Sequence, residues 1–174
     1  MNGYGAAWRK NLYRSGCSEG ELALREDIPT IAELERTYSE FTVQKWIVNQ
    51  LEVINNFTGV GHIMTSEQIA ETANIIGARY WNWNIGEIAL FVSRFCNGEY
   101  GELYGTVDPL RITSSLRKYA AQRMESLNAV KREQERIERE KENERNKEVA
   151  HSPETLEAKE RFFKNHEDLF KHQK

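Results

Sequence analysis

Apolar side chains recur near the helical period in four successive stretches of this chain. Phe41, Trp46, Ile47, Leu51 and Ile54 predict a helix over 39–57, closed by Gly59 and Gly61. Ile69, Ala73, Ile76 and Tyr80 predict a second over 66–80. It opens on Thr65 and Gln68, a pair that can satisfy two orphan backbone donors reciprocally. Asn84 can cap a third helix to about residue 97, with Ile85, Ile88, Ala89, Val92, Phe95 and Cys96 inward. Thr30 can cap a shorter turn over 31–37, and Trp81-Asn82-Trp83-Asn84 reads as a tight connection.

The fourth stretch begins at Asp108-Pro109. Aspartate caps a helix, and proline fits a first turn where no backbone donor is needed. Ile112, Leu116, Tyr119, Leu127 and Val130 give this helix an apolar stripe, which then stops. Residues 131–148 hold 7 basic and 7 acidic side chains, with pairs such as Glu135 and Arg139 at helical spacing. A coiled coil needs a sustained apolar seam that this stretch lacks, so it reads as a solvated helical spacer. At 1.5 Å per residue, a continuous helix over 109–148 spans roughly 60 Å, more than core packing needs. Ser152-Pro153-Glu154 restarts a helix carrying Leu156, Phe162, Phe163, Leu169 and Phe170, with Phe163 and Phe170 two turns apart.

These elements predict an all-α fold: a small orthogonal helical bundle, a long charged helix and a short C-terminal amphipathic helix. Residues 1–27 are expected as a loosely ordered arm, 28–130 as the helical domain, 131–150 as the charged spacer and 151–174 as the amphipathic helix. A chain of 174 residues can build a core without staples. Its two cysteines, Cys17 and Cys96, form no metal or disulfide framework and suit a reducing cytoplasm. Without a leader-like or long apolar run, neither export nor a membrane partner is expected.

The net charge of −3 hides a sharp partition. Residues 26–108 hold 4 basic and 12 acidic side chains, whereas residues 109–132 hold 6 basic and one acidic. Arg111, Arg117, Lys118, Arg123, Lys131 and Arg132 therefore form a basic stripe. Phosphate neutralisation by such a stripe is the main source of nonspecific nucleic-acid affinity, so these six are the candidate nucleic-acid contacts.

Catalytic chemistry is not expected. Glu99, Glu102 and Asp108 are three acids in a glycine-rich loop, without the opposed environments that acid–base pairs need. His62 stands alone, while His151, His166 and His172 lack ligand spacing, so no metal and no cofactor is expected. Neither does the chain carry a phosphate-cradling loop or another small-molecule signature.

The most distinctive string runs from Phe95 to Pro109. Gly98, Gly101 and Gly105 alternate with Tyr100 and Tyr104 before Asp108. Glycine permits positive φ, and tyrosine packs its ring while keeping its hydroxyl wet. The string reads either as a rigid lock between two helices or as a recognition surface. The series Gln68-Ile69, Ile76, Tyr80, Glu87-Ile88, Phe91, Gly98-x-Tyr100-Gly101-x-x-Tyr104-Gly105-x-Val107-Asp108, Ile112, Leu116, Tyr119 and Arg123 resembles a largely uncharacterised family of small helical proteins. That family is encoded by gut-type Bacteroidetes, their phages and mobile elements, and the resemblance covers about residues 40–125. It implies a bacterial cytoplasm, with virion association as a variant. A looser architectural likeness is to phage helicase loaders and replisome organisers.

Two functions are consistent with these features. One is a non-enzymatic adapter of a phage or mobile element, acting in DNA replication and binding another protein and nucleic acid. The other is a structural or assembly protein acting only through protein contacts or self-association. In both, Leu156, Phe162, Phe163, Leu169 and Phe170 are the expected partner-binding anchors.

Overall fold

Four helix starts in this chain carry the same reciprocal cap, and they set where the chain turns. The computed structural model describes residues 4–59, 61–102 and 105–165. Among them lie eight helices and no strand. These are α1 (Ala6–Arg14), α2 (Glu19–Ala23), α3 (Ile31–Thr37), α4 (Glu40–Thr58), α5 (Ser66–Arg79), α6 (Ile85–Cys96), α7 (Pro109–Ala150) and α8 (Pro153–Asn165). Ser18 with Glu21, Thr30 with Glu33, Thr65 with Gln68 and Asn84 with Glu87 each form a complete capping box. The fold is thus all-α, as the periodicity predicts.

The chain divides into two units, Met1–Val130 and Lys131–Lys174. In the first, α6 is the hub. Its residues Ile85 through Val92 are all buried, as is Phe95, so it is enclosed on every side, with the carboxylate of Glu87 the one charge in that run. Helix α4 packs on α3, α5 and α6, while α1 and α2 also pack on α6. From α7, Ile112, Leu116 and Tyr119 enter the same core. Tyr119 sits between Trp83 and Phe91, with ring centroids 5.5 and 5.9 Å away. The hydroxyl of Tyr119 is buried and has no hydrogen-bond partner among the described residues, and burial pushes its pKa well above the usual phenol range.

Two expectations need correction. Residues 6–23 are not a loose arm: they form α1 and α2, and Leu12 and Leu22 are core residues. The reason is tertiary. Both helices are too short to stand alone, and they gain order by packing on α6. Phe41 is 72% exposed, because it lies on the face of α4 opposite the buried stripe of Val43, Trp46, Ile47, Leu51 and Ile54. The loop that precedes α7 is tied by backbone hydrogen bonds to the loop that precedes α5: the His62 N–H donates to the Gly105 carbonyl (3.1 Å) and the Val107 N–H to the His62 carbonyl (2.8 Å).

In the second unit α7 continues to Ala150, and residues 131–149 are all exposed. Ion pairs one turn apart support it: Arg136 with Glu133 and Glu140, each at 2.6 Å, and Arg139 with Glu135 at 3.2 Å. Each such pair contributes only about 0.2–0.5 kcal/mol. Ser152 then caps α8, accepting from the Thr155 N–H at 3.3 Å, with Pro153 at the first helical position.

Candidate binding surfaces

The glycine–tyrosine string is first of all a lock. Gly98, Gly101 and Gly105 have φ of 81°, 98° and 73°, a region open to glycine and strained for other residues. Tyr100 is not a recognition residue on the surface. It is buried against Phe91 and Phe95 at centroid separations of 5.6 and 6.4 Å, and burial pushes its phenol up to about 12. An aromatic ring between two glycine turns has more to gain from the adjacent core than from water. Asp108 caps α7, accepting from the Arg111 N–H at 2.8 Å. Tyr104 lies outside the described residues.

The basic stripe separates into two kinds of cation. Arg111 turns back onto the loop, where its guanidinium donates to the carbonyls of Tyr100 and Glu102, both at 3.1 Å. A Cβ on Gly101 would stand 2.9 Å from that guanidinium, so the glycine and the arginine fit one another. Arg123 pairs with the buried Glu87 and lies 5.1 Å from the Trp83 ring centroid. Both guanidiniums are thus engaged within the chain, Arg111 by backbone carbonyls and Arg123 by a carboxylate. Arg117, Lys118, Lys131 and Arg132 are exposed.

Helix α8 presents the third set. It has no buried residue, yet Leu156 and Phe163 lie two turns apart on one stripe. Phe162 and Phe163 touch edge to face at 6.0 Å and are 52% and 55% exposed. Leu169 and Phe170 lie outside the described residues.

One surface was not foreseen from the sequence. A groove of about 250 Å³ runs between the end of α5 and the first turns of α7, and of the expected site residues it includes only Arg117. Its sequence signal was Leu110, a large apolar residue on the first turn of α7, about half a turn out of step with the inward stripe of Ile112 and Leu116.

Neither a cluster of metal-ligating side chains nor a helix long and apolar enough to cross a membrane occurs among the described residues. The model of a family of unknown function, DUF6633, matches residues 63–166. That span begins before α5 and includes the glycine–tyrosine string, all of α7 and all of α8. No curated protein and no solved structure matches the chain.

Proposed function

The chain belongs to the DUF6633 family of unknown function, and we propose that it is a non-enzymatic adapter of a bacterial phage or mobile element that grips another protein through α8. The observation that carries this is the state of α8: an amphipathic helix with paired phenylalanines and no buried residue. Half-exposed aromatics on a helix are costly to keep in water. Burying the remaining exposed half of each in a partner's groove contributes about 1 kcal/mol. The family match favours a role for this segment, since it extends through α8 rather than stopping at the first unit. The origin in a phage or mobile element, and a role in DNA replication, rest on the sequence resemblance alone.

Removal of everything after Ala150 tests the proposal. The truncated protein is expected to keep its thermal unfolding midpoint and to lose association with its partner. Retained association would end the α8 reading.

Nucleic-acid contact is a second reading, favoured by the exposure of Arg117, Lys118, Lys131 and Arg132. Charge reversal at Arg117 and Lys118 should then weaken DNA or RNA binding and flatten its salt dependence. No binding by the intact protein at low salt would remove this reading.

A further inference from the structure

We infer that the groove between α5 and α7 is a docking site for a short apolar segment of a second protein that carries one or two carboxylates. It is built from residues other than those of α8, so it stands or falls separately. The buried side chains of Ile76, Tyr80 and Leu116 line it. Exposed apolar residues flank them: Ile75 on α5, and Leu110 on α7, which is 79% exposed. Arg79 and Arg117 complete the lining.

Those two arginines indicate the chemistry of the occupant. Three arginines of this unit, Arg25, Arg94 and Arg123, have a carboxylate partner, while Arg9 is held by the Gln50 side chain and Arg111 by loop carbonyls. Neither Arg79 nor Arg117 has a carboxylate partner among the described residues, although the body around them is rich in acids. Both line the groove beside Tyr80, whose phenol burial pushes up and the two guanidiniums partly pull back. The Arg79 guanidinium also lies 5.9 Å from the Tyr80 ring centroid, which holds it in place. An apolar floor with two unmatched cations at its edge fits an apolar side chain flanked by Asp or Glu.

Size and field separate this occupant from its rivals. Pockets for small molecules run from roughly 300 to 1,000 Å³, so a groove of about 250 Å³ suits a few side chains better than a metabolite. The groove's own lining offers a single strand of nucleic acid no exposed ring for stacking, since its one aromatic residue, Tyr80, is buried. A polyanion would also extend over the acidic surface of residues 26–108, whereas one or two carboxylates stay within the local positive field, about 8–10 Å at ordinary salt.

The test uses the intact protein, immobilised, with a random twelve-residue peptide display library as the probe. Selected peptides are expected to combine Leu, Ile or Phe with Asp or Glu. Their affinity should fall about tenfold or more on Leu110→Lys and on Arg79→Glu with Arg117→Glu. Exchange of the peptide's acids for lysines should restore binding to the double variant. All three altered residues are exposed, and an unchanged unfolding midpoint verifies that the fold is kept. Peptides without carboxylates, affinities untouched by these variants, or competition by single-stranded DNA would overturn the assignment. So would self-association of the intact protein that Leu110→Lys abolishes, since the groove would then take a second copy of this chain.

Discussion

Arg123 on α7 holds the carboxylate of Glu87, the third residue of α6, and Glu87 is 1% exposed. The same carboxylate accepts from the Asn84 N–H at 3.0 Å, while the Asn84 side chain donates to the Leu22 carbonyl at 2.7 Å. One capping box thereby ties α2, α6 and α7 together. Glu87→Ala leaves a mostly buried guanidinium without its partner and is expected to cost about 3–5 kcal/mol in denaturant unfolding.

A pH dependence follows from the same pair. Burial, the largest influence, raises the Glu87 carboxyl above its ordinary 4.5, and Arg123 only partly offsets it. The folded state therefore binds this proton more tightly than the unfolded state. The stability linked to it is fully present below 4.5 and is lost as pH rises through the raised folded value. Relative to Glu87→Gln, the native protein should gain stability as pH falls from 7 toward 4.5. Unfolding free energies of both proteins at several pH values check this, and a difference that is flat or shrinks on acidification contradicts it.

Gly20 is expected to tolerate no side chain. A Cβ there would meet the Ser126 carbonyl carbon and oxygen and the Leu127 nitrogen at 2.5 Å, and the Gly20 N–H already donates to the Ser126 hydroxyl at 3.0 Å. The obstacle is backbone, which cannot rotate away. Gly20→Ala should destabilise by about 1–3 kcal/mol through overpacking, whereas Gly5→Ala, with nothing within 4 Å, should change little. Paired thermal melts distinguish the two; equal midpoints would mean that α2 and α7 are not in this contact.

Gly20 also shows why the sequence was legible only in part. The helices from α3 onward were readable because each carries its own period, cap and stop in local residues. Asn84 and Glu87 are three positions apart, and so are Thr65 and Gln68. Helix α1 lacks a side-chain cap, and α2, although Ser18 and Glu21 cap it locally, is only five residues long; both are ordered by contacts with α6, more than 60 residues away for Asn84 and Leu22. The basic stripe was legible as composition but not as function. Arg111 and Arg123 look like Arg117 in sequence, and only their distant partners, a loop carbonyl and a buried carboxylate, separate them. The groove between α5 and α7 was hidden for the same reason, since its two walls are 30 residues apart.

Tyr119→Phe is expected to leave the fold intact and to raise stability by about 1 kcal/mol. The mutation removes a buried hydroxyl that has no hydrogen-bond partner among the described residues and keeps the ring contacts with Trp83 and Phe91. Tyr119→Leu, which loses those contacts, should destabilise by about 1–3 kcal/mol. A Phe variant clearly less stable than the native protein would show that the hydroxyl is satisfied in solution.

The central claim is that α8 is the gripping element. Its most direct measurement compares tagged intact protein with a Leu156→Asp, Phe163→Asp double variant, both purified from the native host, by quantifying the protein that co-purifies with each. Both side chains are about half exposed, so the variant is expected to unfold at the same temperature as the intact protein. The account predicts that the co-purifying protein falls at least about tenfold, the loss expected from removing two aromatic or aliphatic anchors. Equal recovery with the double variant would contradict it.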